Sequence, residues 1–136
     1  PVYKKSTPMG FNILICDDSA LARKIARRNL PSELAANIFE ASNGMDALEV
    51  LAHQRVDLVL LDLTMPVLDG IAVLEQIKAR KIETFVIVIS GDIQPFMQKR
   101  VMELGALGFI GKPLQVKPLE DLLTRYGFLL PSSLVG

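Results

Sequence analysis

Four largely apolar stretches of this chain each run straight into a polar side chain. Phe11 to Cys16 precedes Asp17-Asp18, Leu58 to Leu61 precedes Asp62, Phe85 to Ile89 precedes Ser90, and Phe109-Ile110-Gly111 precedes Lys112. Strands that read as near-continuous apolar runs belong to parallel sheets covered on both faces. In open sheets of that kind, ligands bind at the carboxyl ends of the strands. The pattern therefore predicts one rim carrying three carboxylates, a hydroxyl and an ammonium, a set that suits a metal ion and a phosphoryl group.

Between the strands the period changes to that of helices. Strands are expected at Asn12–Cys16, Asn37–Ala41, Val56–Leu61, Phe85–Ile89 and Leu107–Ile110. Leu21, Ile25 and Leu30 give an amphipathic helix behind a Ser19 cap, stopped near Pro31. Further helices are expected over Met45–His53, Ile71–Ala79, Pro95–Leu104 (ended by Gly105) and Val116–Tyr126. Five alternating strand–helix units imply an α/β domain, a five-stranded parallel sheet doubly wound by helices on both faces with right-handed crossovers. Pro1 to Gly10 reads as a loose N-terminal tail. Leu129 to Gly136 is apolar but broken by Pro131, Ser132 and Ser133, either packing locally or opening a linker.

Composition narrows the function classes. With 136 residues the chain is one domain, and 50% hydrophobic residues supply a substantial core. Fifteen basic and fifteen acidic side chains cancel, which gives no pull toward nucleic acid or an acidic membrane. No apolar run approaches the ~18 residues of a membrane span, and the amino end lacks the apolar segment of a signal peptide. A lone Cys16 allows no internal disulfide and fits a reducing cytoplasm.

Adjacent carboxylates such as Asp17 and Asp18 repel unless a cation or solvent relieves them, and Mg2+ needs only one or two carboxylates because it keeps several waters. The rival reading of this pair is a helix cap, with Asp18 complementing the dipole of the following helix. Asp62 ends the most hydrophobic strand, where a carboxylate can accept a phosphoryl group as an acyl phosphate. A Lys112 ammonium can pair with one phosphoryl oxygen, and the Ser90 hydroxyl with another. A side chain at Gly91 is expected to obstruct approach to Asp62; a plain turn glycine is the alternative. A cis Lys112–Pro113 bond is also expected.

These residues, in this order, resemble the receiver domains of two-component response regulators, and in layout the stand-alone chemotaxis regulators. The match rests on Asp17-Asp18-Ser19, Asp62 with Met65-Pro66 and Gly70, Ser90-Gly91, and Phe109 three residues before Lys112-Pro113, and it spans about Phe11 to Tyr126. The resemblance implies a flavodoxin-like (βα)5 fold with strand order 2-1-3-4-5, and a receiver domain at 11–127 between a tail at 1–10 and a tail or linker at 128–136. It implies a regulatory module, not an enzyme beyond self-phosphorylation and autodephosphorylation, that takes phosphate from a histidine kinase or phosphotransfer protein. Asp62 would be the phosphoacceptor. Mg2+, or Mn2+ in its place, would be held by Asp18, Asp62 and the Thr64 carbonyl, with Asp17 acting through water. Lys112 would contact the phosphoryl group, Ser90 would move toward it, and Phe109 would turn inward as the switch aromatic. The family often carries Asn where Thr64 stands and Ala where Gly91 stands. Thr64 and Asp92 flank the path of an attacking water and so bear on phosphoryl lifetime.

Phe96, Met97 and Met102 are candidates for an adaptable partner surface on the Pro95–Leu104 helix, the last strand and the last helix. Of these, Met102 is expected to face the core. The target is a downstream protein or an attached output domain. His53 and the Arg23–Arg28 run are expected on solvated faces, and Cys16 as a buried small hydrophobe. Three rival functions stay open: a receiver-like scaffold that is never phosphorylated, an aspartyl-phosphate hydrolase, and a flavodoxin-like nucleotide binder. Thr64 stands where the hydrolase would need a second Asp, and no Gly-rich phosphate loop follows the first strand.

Overall fold

A computed structural model describes residues 10–130. The tail expected over 1–10 therefore lies outside the described residues apart from Gly10, as does 131–136. The elements are β1 Phe11–Cys16, α1 Ala20–Asn29, β2 Ala35–Ala41, α2 Gly44–His53, β3 Leu58–Leu61, α3 Gly70–Ala79, β4 Phe85–Ser90, α4 Pro95–Glu103, β5 Gly108–Gly111 and α5 Val116–Arg125. All strand pairs are parallel, and the order is β2-β1-β3-β4-β5, as expected.

Successive side chains of a strand point to opposite faces, and the apolar runs feed two cores in this way. Leu14, Val59, Leu61, Val86 and Val88 meet Ala47, Leu48 and Leu51 of α2, Val73, Leu74 and Ile77 of α3, and Val101 of α4. Ile13, Ile15, Leu58, Leu60, Ile87 and Ile89 meet Ala26 and Leu30 at α1 and Leu119 and Leu123 of α5. Every residue of β3 is buried because it lies mid-sheet with helices above and below. Past α5 the chain keeps packing: Phe128 and Leu129 lie against the α1–α5 core, and the Phe128 ring stands edge-on to Phe11 and Phe85.

Several boundaries shift. β2 begins at Ala35, since a register shift at Phe11/Asn12 lets Phe11 pair with Ala35. Val56 is buried but precedes β3, and β5 starts one residue later than its apolar pattern suggests. Helix starts follow capping chemistry. Ser19 Oγ, Asn43 Oδ1 and Asp69 Oδ1 accept from the backbone N–H groups of Ala22, Asp46 and Ala72. α4 differs: it has Pro95 in its first turn, no side-chain cap, and one buried residue, Val101. Met102 is accordingly 45% exposed and not core, because α4 meets the sheet through so narrow a stripe. Among the described residues no helix is long and apolar enough to cross a membrane.

Candidate functional site

The sheet topology brings the acidic residues together. β1 and β3 are neighbours with Cys16 opposite Leu61, and the ladder runs one residue further, Asp62 N–H donating to the Cys16 carbonyl at 2.9 Å. Asp17 and Asp62 therefore leave adjacent strand ends side by side, only 6% and 5% exposed. The order of connections reverses at this point of the sheet, where open α/β folds place their ligand crevice. Oxygens of Asp17, Asp18 and Asp62 all lie within 4.8 Å of one another.

Lys112 follows β5 by one residue, and Ser90 ends β4 opposite Gly111. The Lys112 side chain reaches back across the strand ends, setting Nζ 2.8 Å from Asp17 Oδ2 and 3.3 Å from Asp62 Oδ1. The Lys112–Pro113 bond is cis, as expected. Ser90 is buried, and its Oγ accepts from the Asp92 N–H at 3.0 Å. Phe109 is half-buried against the core on the α2–α4 side.

The electrostatics follow from this crowding. Burial first, and the neighbouring Asp17 charge second, push the Asp62 carboxyl above its ordinary value, against the pull of Lys112. Burial works against the Lys112 charge, yet the hydrogen bond to Asp17 and the charges of Asp62 and Asp17 prevail and raise its pKa. Three carboxylates against one ammonium leave negative charge over, and every donor is a hard oxygen. That donor set fits Mg2+ or Mn2+ and does not fit a thiophilic ion.

Asp17 is pinned from four sides. Its N–H donates to the Ala41 carbonyl at 3.0 Å, Oδ1 accepts from the Ser19 N–H at 2.9 Å, Oδ2 meets Lys112, and its carbonyl accepts from Arg23 Nη1 at 2.7 Å. Asp18 is exposed, and the cap role offered for it falls to Ser19. Arg23 departs from the solvated face expected of the arginine run: its side chain is only 19% exposed, tied to Glu40 as well as to Asp17. Nothing in the sequence signals that contact, since Glu40 stands 17 positions away on strand β2.

The two glycines near the site differ in their surroundings. A Cβ on Gly91 would meet nothing within 4 Å, so the first carbon of a side chain fits there without a clash. A Cβ on Gly70 would lie 2.4 Å from the Asp62 carbonyl oxygen and 2.7 Å from Leu63 Cα. Gly70 is thus the glycine that the site requires, letting α3 start directly against the backbone that carries Asp62. His53 is exposed, as expected, and stands by Glu49 at 3.2 Å. Cys16 is buried, its thiol pushed far up by burial and then by Asp17.

Comparison with known proteins agrees with this layout. The response regulator receiver domain profile matches residues 13–124. Chemotaxis protein CheY of Bacillus subtilis is 36% identical over 117 residues, 86% of this chain and 98% of that protein. Sporulation initiation phosphotransferase F of the same organism is 32% identical over 120 residues, 87% of this chain and 94% of the relative. In structure, a chain of the CheX–CheY–BeF3–Mg2+ complex from Borrelia burgdorferi superposes with a TM-score of 0.82 at 32% identity, covering 91% of this chain and 94% of that one. A profile match over most of the sequence, on a sheet of the same order, makes this chain a member of the response regulator receiver domain family, the phosphoacceptor signalling modules of two-component phosphorelays.

Proposed function

We propose that residues 11–127 act as a receiver whose phosphoacceptor is Asp62. The observation that carries this reading is the convergence of the Asp17, Asp18 and Asp62 carboxylates on one rim with Lys112 Nζ between Asp17 and Asp62. A carboxylate oxygen of Asp62 attacks the phosphorus of a phosphohistidine on a kinase or phosphotransfer protein. The oxygen–phosphorus bond forms, the phosphorus–nitrogen bond breaks, and the departing imidazole keeps the electron pair and takes up a proton. Asp18, Asp62 and the Thr64 carbonyl would hold Mg2+, with Mn2+ as a substitute and Asp17 acting through water; the ion, when bound, offsets negative charge on the phosphoryl oxygens. Lys112 already stands beside Asp62 and supplies a second positive charge to those oxygens.

Ser90 would give up the Asp92 N–H and turn its hydroxyl to the new phosphoryl oxygens, and Phe109 would move into the space released. The face remodelled would be that of α4, β5 and α5, where Phe96 is 61% exposed and Met97 half-buried. The receiving partner would be a separate protein or an attached output domain. A cytoplasmic location belongs to the same proposal, resting on the unpaired Cys16 and on a kinase as phosphodonor.

Incubation with Mg2+ and acetyl phosphate, followed by intact mass, should show the gain of one phosphate that Asp62→Asn abolishes. No gain would count against this reading and favour a scaffold; a gain that survives the substitution would count against Asp62 as the acceptor. Phe109→Ala should leave uptake largely intact while weakening partner response; equal loss of both would sink the switch.

A further inference from the structure

The rim holds its carboxylates on loops, and loops keep a geometry only if something fixes their backbone. The Asp17 carbonyl belongs to the planar peptide that joins Asp17 to Asp18. Holding that oxygen fixes the peptide plane and with it the point from which the Asp18 side chain departs. Arg23 holds it, with Nη1 at 2.7 Å, while Nε of the same guanidinium donates to Glu40 Oε1 at 2.8 Å. The planar fork spans both acceptors at once, a geometry that a lysine ammonium does not reproduce. Arg27 braces Glu40 from the other side, donating to Oε2 from Nη2 at 2.7 Å and from Nε at 3.2 Å. Glu40 sits on β2 one residue before Ala41, whose carbonyl receives the Asp17 N–H. Both backbone groups of Asp17 are therefore referred to the end of β2.

We infer that Arg23, oriented by Glu40, is a positioning residue for the acidic rim: it fixes the Asp17–Asp18 peptide and so presets Asp18 for a divalent cation. The inference rests on the reading that the rim binds Mg2+ and that Asp62 takes the phosphoryl group. It makes a prediction of opposite sign to simple electrostatics. Arg23 is a cation near three carboxylates, so if charge alone mattered, removing it would tighten Mg2+ binding. If position matters, removing it weakens binding, and outer contacts of this kind change metal affinity by about 10–100-fold.

The test is calorimetric titration of the full chain with Mg2+, alongside thermal unfolding in metal-free buffer. Arg23→Met is expected to raise the Mg2+ Kd roughly tenfold, and Arg23→Lys, which keeps the charge without the fork, to raise it several-fold. Arg28→Met, which removes an exposed cation from the same helix and leaves the Arg23–Glu40–Arg27 brace in place, should bind as well as or better than the unsubstituted protein. Should Arg23→Met fail to fold, Arg23→Lys decides the question alone. Folded Arg23 variants with unchanged or tighter Mg2+ binding would overturn the inference while leaving the rim's function intact, as would an equal loss in Arg28→Met. An unsubstituted protein that neither binds Mg2+ nor gains phosphate would overturn the reading of the rim, and the inference with it.

Discussion

Replacing Gly70 by alanine should destabilise the fold and slow phosphoryl uptake together. Helix propensity argues the other way, because alanine outranks glycine by about 1 kcal/mol within a helix, and Gly70 is the first residue of α3. The added Cβ, however, would stand 2.4 Å from the Asp62 carbonyl oxygen, where real Cβ contacts essentially stop at 3.0 Å. The backbone must open by about 0.6 Å to reach even that floor. No flexible side chain can absorb the motion, since the next contact, Leu63 Cα at 2.7 Å, is also backbone. Overpacking of this sort costs about 1–3 kcal/mol, so the balance is a net loss of up to about 2 kcal/mol once propensity is credited. Because the Asp62 N–H is tied to Cys16, the displacement falls on the Asp62 carbonyl and on the Leu63-Thr64 segment that follows it. Urea unfolding would read the first effect, and the rate of phosphate gain from acetyl phosphate the second. Gly91→Ala is the internal control, expected within about 0.5 kcal/mol of the unsubstituted protein. A Gly70→Ala protein as stable as its parent would refute the steric argument, and a destabilised one with undiminished uptake would refute its link to the acceptor.

Asp62→Asn should stabilise the metal-free protein, on the order of 1 kcal/mol, because the fold raises the Asp62 carboxyl and so penalises its ionised form at neutral pH. Added Mg2+ should shrink that gain by binding the unsubstituted protein, and urea midpoints with and without the ion would show it. Glu40 is held below its ordinary 4.5 by hydrogen bonds from Arg27 and Arg23. Its contribution is therefore complete above about pH 4.5 and lost as pH falls through the lower folded value; Glu40→Gln should cost roughly 0.5–1 kcal/mol at pH 7 and converge with the parent in acid. The Cys16 thiol, buried and pushed up, should resist iodoacetamide at pH 8 in the native protein and react once urea unfolds it, as followed by intact mass.

The elements most legible in the sequence were those whose burial is two-sided. β3 and β4 were placed correctly at their carboxyl ends, though β3 starts two residues later than expected, because positions on either face must be apolar and the polar residues that end them mark the rim. The edge strand β2 was read short, because the two residues that open it, Ala35 and Ala36, carry little strand propensity. Met102 was misread because residue type reports a preference for burial, whereas α4 offers almost no buried face. The convergence of Asp17, Asp18 and Asp62 could be anticipated from their placement at strand ends. The Arg23–Glu40 brace could not, since it joins a helix to a strand by a guanidinium whose alternative, full solvation, is equally good in sequence. Gly70 and Gly91 look alike as turn glycines, and only the approach of α3 to the Asp62 backbone separates them.

That thin attachment of α4 has a consequence for how motion is distributed. α2 and α3 each bury four residues and start on side-chain caps, whereas α4 buries Val101 alone and starts without one. Local opening is governed by such differences in buried contact. Amide hydrogens of Met97 to Glu103 should exchange with deuterium well before those of α2 or α3, in the absence of any phosphate. The domain is then mechanically lopsided, stiff along β1 and β3 where the carboxylates sit and compliant along the helix that follows Ser90. A small change of charge at the stiff centre of the sheet would find a softer outlet at α4 than at α2 or α3.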